Sequence, residues 1–547
     1  MMRGDDDDLV AYTRPSADIL RLPPLPPRPV AAALSGGLLP FLEYLLRSGG
    51  RDPGGWQAAA ARELTWILDH LVPLLAYGDA REAAALVVTL GKLLRRALAD
   101  PRAITGTWEP RTNLWQAVLV IAGGLPSSIR KYLAIHQDKS GLGGAVDVDG
   151  PEPAAPAGEA EAVPGPPSPA SLQLASLVTL AACRWVPPLS ALVERVVQPL
   201  LQALQPGLCA GPGGGGGSGG SGGSADSGAL TSNYLIATHM CWIPLLRACC
   251  DAHAAGMAAV ASPGARAAAA TPVAGGVATV GGGPAEASTA SGDGGWRALL
   301  LEEAGVVPLL GWAIELAPGL EAANLGEPFR RSMLQSLLRC CHGVAALCRA
   351  AAAAEGAGAH ERGPAPSSGG GSGAAGKGGV AAAVATGACG AADKGNGGNT
   401  GAGAAPPWRP ELLRALGSQL RSHTLPVSAE AAEALAAAMD CWGGEEAHGA
   451  HGGGGCGGVA RLDLTDAEAD LLRLASAMPP PAEARRQLRA CANPACANLD
   501  GDGEARLRLT PCAGCGEAAY CSRSCWEAHW RAGHRAACAR RRLGGGG

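Results

Sequence analysis

Apolar residues occur along this chain in two settings. In some stretches they recur at helical spacing; in others Gly, Ala, Pro and Ser displace any pattern. Leu86, Leu90, Leu93, Leu94 and Leu98 fall on one face of a helix. Arg95 and Arg96 come near its end, where unpaired carbonyls favour positive charge, and Asp100-Pro101 is expected to stop it. Leu64 to Ala76 reads as the preceding helix, bent or started at Pro73. Residues 170–205 return to helix. Pro187-Pro188 should split them into two segments, because neither proline has a backbone N–H to donate. A further apolar helix lies within 229–250, and Leu334, Leu337, Cys341, Val344 and Cys348 make a stripe within 296–355. Residues 408–441 hold one or two helices. Leu462 to Ala477 reads as a last one, capped by Thr465 with Glu468 three residues on.

The unpatterned stretches divide the chain. Residues 1–30 read as a disordered segment ending in RLPPLPPRPV, where Pro23 to Pro29 favours polyproline II. Helical regions are expected at 31–137, 170–250, 296–355 and 407–478. Between or within them lie a linker at 138–169, a Gly/Ser insertion at 206–228, disordered stretches at 251–295 and 356–406, and a Gly-rich break at 443–458. A cysteine-rich module occupies 491–538, and a basic, Gly-ending tail 539–547. The fold class is mainly α: a helical body interrupted by Gly/Ala/Pro-rich insertions, with one small metal-dependent module.

Composition narrows this further. With 2 Phe and 6 Tyr in 547 residues, the core must be built from Leu, Val and Ala. The net charge of −4 provides no global basic field for nucleic acid. The acidic start, MMRGDDDDLV, lacks the basic-then-apolar order of a secretory leader. The longest apolar candidate for a membrane span, Leu172 to Cys183, is too short and ends at Arg184, so no transmembrane helix is expected. Of the 18 cysteines, eleven are scattered, including Cys249-Cys250 and Cys340-Cys341; they read as small buried apolar side chains in a reducing compartment, cytoplasm or nucleus.

The chemistry is concentrated between Cys491 and Cys538. Seven cysteines and one histidine form four pairs: Cys491/Cys496, Cys512/Cys515, Cys521/Cys525 and His534/Cys538. Each pair has two to four intervening residues, a reach that lets both members hold one ion. Eight such ligands suit two tetrahedral Zn²⁺ sites with no open position for a substrate. Spacing alone leaves sequential and crossed pairing both open. His529, four residues after Cys525, is a rival ligand. His448, His451 and Cys456 also have ligand chemistry, but glycine surrounds them and nothing there would hold them still.

The run Cys512-x2-Cys515, Tyr520-Cys521-x3-Cys525, His529-Trp530, His534-x3-Cys538 closely resembles the MYND-type zinc finger. That resemblance implies a cross-braced finger. Cys491, Cys496, Cys521 and Cys525 would hold one Zn²⁺, and Cys512, Cys515, His534 and Cys538 the other. It implies that His529 is not a ligand and that Trp530 packs the finger's helix. It further implies protein partners, often proline-containing peptides. The chain departs from the family in three places: four residues within the first pair, a long gap from Cys496 to Cys512, and Trp526 where many members have Gln. LDGDGEARLRL fills the gap, with a turn expected at Asp500-Gly501 and a strand near Arg506 to Leu509. Arg506, Arg508, Arg523, Arg531 and Arg535 are placed to offset the negative charge of zinc–thiolate groups.

Two weaker signals complete the reading. Gly37-Leu38-Leu39-Pro40 and Gly305-Val306-Val307-Pro308 share a pattern that resembles helix starts of armadillo-type repeats, which implies an α-solenoid. Pro23 to Pro27 has the P-x-L-x-P order of ligands for some MYND fingers, so the chain could supply its own ligand. The expected function is a non-enzymatic adaptor with two Zn²⁺ and protein partners, and with no catalytic residues or membrane association. Two alternatives are a nucleic-acid-associated regulator acting through Arg540 to Arg542, and a MYND-containing methyltransferase, for which no SET-like motif is visible.

Overall fold

The computed structural model describes residues 22–63, 68–99, 114–141, 167–204, 240–261, 295–317, 327–361, 406–442, 466–487, 490–501 and 503–544. The described residues are mainly helical. In chain order the helices are α1 (Arg28–Ser35), α2 (Leu38–Arg51), α3 (Trp56–Arg62), α4 (Leu68–Tyr77), α5 (Ala80–Ala99), α6 (Leu114–Gly141), α7 (Pro169–Leu204), α8 (Ile243–Ala261), α9 (Val306–Leu316), α10 (Glu327–Glu361), α11 (Pro410–Ser422), α12 (Pro426–Trp442), α13 (Asp466–Ala477), α14 (Pro481–Gln487), α15 (Arg523–His529) and α16 (Arg535–Gly544). The described strands, β1 (Thr510–Pro511) and β2 (Ala519–Tyr520), pair antiparallel.

The chain divides into two units. The first comprises residues 1–340, 461–488 and 499–506; the second comprises 341–460, 489–498 and 507–547. In the first unit α5 and α7 pack on each other, and α2, α4, α6 and α9 gather around them. Leu86, Leu90, Leu93 and Leu94 of the α5 stripe are buried there. Trp185 and Trp242 meet edge to face in the same core, with ring centroids 6.0 Å apart. Helix α13, distant in sequence, packs against α8. In the second unit α11 and α12 form an antiparallel pair, tied by Arg414–Asp440 and Arg421–Glu433 ion pairs. On the α10 stripe, Leu334 and Leu337, which belong to the first unit, and Cys341, Val344 and Cys348, which belong to the second, are all buried.

Prolines end fewer helices than their chemistry suggests. Helix α7 runs without a break through Pro187-Pro188, against the expected split. Pro188 frees the carbonyl of Arg184, and Arg95 Nη2 on α5 donates to it at 3.4 Å. Pro126 lies inside α6 and frees the carbonyl of Ala122, which accepts from the indole of Trp242 at 2.9 Å. At Pro188 and Pro126, tertiary donors replace the hydrogen bonds that the prolines remove. Pro29 departs from the expected polyproline II run: it lies in the first turn of α1, where a missing N–H costs nothing.

By length and composition, Pro169–Arg195 of α7 could cross a membrane, but 78% of its most apolar window is buried in the first unit. It is placed as a core helix. The two G-x-x-P copies have the same local form: Gly37 and Gly305 both take a left-handed φ, 74° and 56°, and α2 and α9 start directly after them. The P-x-L-x-P segment is tied into the first unit. Leu22 is buried with its N–H on Ser171 Oγ at 3.1 Å, and Tyr77 donates to the Pro23 carbonyl at 2.7 Å. Leu25 is 75% exposed. The Thr465 cap and the His448, His451 and Cys456 group lie outside the described residues, as do the side chains of Arg540 to Arg542.

Candidate metal centre

The finger is built on short local devices. Cys512 N–H donates to Ala518 O at 2.7 Å and Gly516 N–H to Cys512 O at 2.8 Å, which folds the Cys512/Cys515 pair into a tight knuckle. Gly516 turns it with φ 70°. The knuckle joins β1 to β2, with Thr510 opposite Tyr520 and Pro511 opposite Ala519. Ala492 N–H donates to Ala519 O at 2.8 Å, which brings the first cysteine pair beside β2. Ser522 caps α15 by accepting from Cys525 N–H at 3.2 Å, so Cys521 and Cys525 sit across the helix start. A kink at Gly533, φ 127°, then brings His534 round to the knuckle.

These devices gather the eight residues into two groups of four. Cys491, Cys496, Cys521 and Cys525 form one; Cys512, Cys515, His534 and Cys538 form the other. In each, the ligand atoms all lie within 4.8 Å of one another. The pairing is therefore crossed, first pair with third and second with fourth. A zinc tetrahedron with Zn–S of about 2.3 Å has S···S edges of about 3.8 Å. The sulfurs of Cys496 and Cys521 are 3.7 Å apart, those of Cys521 and Cys525 3.5 Å, and those of Cys512 and Cys538 4.0 Å; Cys515 Sγ lies 3.7 Å from His534 Nε2. The donor sets fit two Zn²⁺ ions, each fully coordinated by protein, and such sites supply folding free energy of about 10–16 kcal/mol.

Electrostatics agree with that occupancy. Hydrogen bonds from Cys491 and Cys496 hold the Cys521 thiol well below its ordinary range, while hydrogen bonds with Cys496 and then Cys521 push Cys491 up. Burial raises Cys512, but the amides of Cys515 and Gly514 and the His534 ring outweigh it and lower the net value. Four crowded thiols compete for protons in this way, and a divalent cation replaces those protons. Outer support comes from Asn498, whose Nδ2 donates to Cys521 Sγ at 3.7 Å. Of the arginines expected to offset the thiolate charge, Arg523 is exposed and pairs with Glu527 at 3.0 Å, whereas Arg535 lies beside Cys512 and Cys538.

His529 lies outside both groups. It shares a 3.1 Å hydrogen bond with the Tyr520 hydroxyl and stacks on His534 with centroids 4.9 Å apart. Burial, then the neighbouring His534, lowers its pKa. Tyr520 is buried and Trp530 packs on the same cluster. The expected strand near Arg506 to Leu509 is displaced to Thr510–Pro511, because Glu504–Arg506 forms a 3₁₀ turn instead. Gly501, with φ 79°, makes the expected turn. The scattered cysteines Cys183, Cys249, Cys250, Cys340, Cys341 and Cys348 are buried, whereas Cys441 is exposed.

A groove of about 720 Å³ opens beside the second group, lined by Thr510, Pro511, Tyr520, Trp526, Trp530 and Arg535 among others. Both residues of β1 are exposed, and Trp526 and Trp530 stack at 5.6 Å, 28° from parallel. Helical spacing alone puts Trp526 and Trp530 on one face, four residues apart, but local pattern does not place that face beside β1.

Residues 491–538 match the MYND finger family. No curated protein and no solved structure matches the chain.

Proposed function

We propose that this chain, which carries a C-terminal MYND finger with two zinc-binding groups, is a non-catalytic intracellular adaptor whose finger captures extended, proline-containing peptides of partner proteins. The observation that carries this reading is the exposed two-residue strand β1 beside the stacked Trp526 and Trp530. The outer edge of β1 offers the Pro511 carbonyl, which can accept from a peptide N–H although proline itself has none to donate, and aromatic faces suit proline rings. Both metal groups offer four protein ligands, which leaves no coordination position for a substrate. The free cysteines among the described residues support a reducing compartment. We assign the groove to a partner's peptide and not to Pro23–Pro27, since Leu22 and the Pro23 carbonyl are already engaged. The repeated glycine-started helices support an armadillo-like stacking of the helical body.

The test is capture of proline-containing peptides from an immobilised library by the full zinc-loaded chain, followed by titration calorimetry. Trp526→Ala should weaken the selected peptide at least about tenfold while two zinc ions remain bound, as expected for a central aromatic anchor. Equal affinity of wild type and W526A would remove the groove from the reading. Transfer of a methyl group from S-adenosylmethionine to any captured peptide would overturn the non-catalytic assignment.

A further inference from the structure

Cys496 and Cys512 belong to different metal groups, and the residues between them form an unusually long gap for such a finger. Part of that gap, Leu499–Arg506, is a component of the first, helical unit. Leu499 is 1% exposed. A Cβ at Gly50 of α2 would come within 2.6 Å of Leu499 Cδ1, so the leucine of this segment packs directly on the α2 backbone there. A Cβ at Gly503 would lie 2.6 Å from Glu43 Oε2, so the segment's backbone runs against that carboxylate.

Glu504 completes the insertion. It is buried, and its Oε1 accepts from Arg47 Nη1 of α2 and Lys92 Nζ of α5, both at 2.5 Å. Its own N–H donates to Glu43 Oε1 at 2.6 Å. Arg47 Nη2 also donates to the Asp500 carbonyl at 2.8 Å, and Thr89 Oγ1 to Glu43 at 3.1 Å. Glu43, Arg47 and Lys92 are all buried within the helical unit. Without Glu504 they would carry one uncompensated positive charge in a core of leucines. A buried charge missing its partner is among the most destabilising defects a fold can carry. The helical unit therefore depends on a carboxylate delivered from a segment flanked in sequence by the zinc-group residues Cys496 and Cys512.

We propose that residues 499–506 are a zinc-held strap that neutralises the Arg47/Lys92 pair, so that zinc occupancy of the finger and the integrity of the α2–α5 region are thermodynamically linked. The inference rests on the zinc sites and not on the peptide-binding reading. Loss of the ion on the Cys496 side or on the Cys512 side frees one end of the strap. By reciprocity, loosening the strap must weaken zinc retention.

The experiment uses the full chain. Hydrogen exchange by mass spectrometry, with and without a zinc chelator, reads peptides covering 43–51 and 86–95. Zinc release to a chromogenic chelator is followed in parallel for wild type, Glu504→Gln and Glu504→Gln/Lys92→Met. Chelation should raise exchange in both peptides more than in Ile243–Ala261 of the same unit. E504Q should release zinc about tenfold faster, the scale on which supporting residues alter metal affinity. The double variant, which restores charge balance, should recover much of that difference. Unchanged exchange at 43–51 and 86–95 after zinc removal would overturn the proposal, as would a uniform rise across all helices. Wild-type release rates in E504Q would do the same. The chelation arm needs no variant, so it decides the question even if E504Q does not fold.

Discussion

At the scale of single residues, charged groups on apolar faces carry more information than the apolar residues around them. Glu43 and Arg47 are one helical turn apart on α2, and Lys92 interrupts the α5 leucine stripe; a bland reading leaves all three at the surface. Instead they are buried together around Glu504. Burial raises the Glu43 carboxyl, opposed by the Glu504 amide and by Arg47. A folded-state value above the unfolded one means that the folded chain holds this proton more tightly. The Glu43 contribution is then fully present below the ordinary glutamate range and is lost as pH rises through the folded value. The stability difference between wild type and Glu43→Gln should accordingly fall as pH increases from about 4 to 7. Urea midpoints of both proteins across that range check it, and a difference that grows with pH would contradict the burial effect.

At the scale of elements, proline in the sequence is a poor guide to where helices stop here. The rule that proline breaks a helix concerns hydrogen bonds within the helix. It is overridden when another helix brings a donor to the freed carbonyl, as Trp242 does for Ala122 and Arg95 for Arg184. Trp242→Phe keeps most of the buried ring and removes only that donor. It should cost about 1–3 kcal/mol, the penalty for a buried carbonyl left unpaired. Thermal or urea unfolding of the variant measures it; a loss within error of zero would mean that water or a neighbour takes the place of the indole. The metal pairing is an element-scale result of the same kind. Spacing puts two ligands on one ion, but which pairs share an ion is settled by β1 and β2, the Ser522 cap and the Gly533 kink.

At the scale of the whole molecule, the chain is held by two different means. Leucine, valine and alanine build the helical core, while the finger is too small to bury comparable apolar area and relies on metal. The full chain should bind two zinc ions. Cys491→Ser/Cys521→Ser should remove one, because both cysteines belong to one set while Cys512, Cys515, His534 and Cys538 form a separate one. Metal analysis after exhaustive dialysis distinguishes this from sequential pairing, in which the two cysteines hold different ions; loss of both ions in the double variant, with one retained in each single variant, would break the crossed assignment.

The sequence alone determined that the chain is mainly helical, because leucine periodicity depends only on neighbours three and four residues away. It also marked residues 491–538 as a two-zinc module, because thiol and imidazole chemistry at two-to-four-residue spacing has few other uses, while the exclusion of His529 came from the resemblance to MYND fingers and agrees with its place outside both groups. Only the tertiary structure decided that α7 continues through two prolines, that Trp526 and Trp530 stack beside an open strand, and that the segment between two zinc-ligand pairs belongs to the helical core. Each of these depends on a partner outside the local pattern: Arg95 for the Arg184 carbonyl, β1 for the two tryptophans of the groove, Arg47 and Lys92 for Glu504. Local pattern contains no record of such distant partners, since a buried glutamate and a solvated one look alike until the charges that surround them are in place.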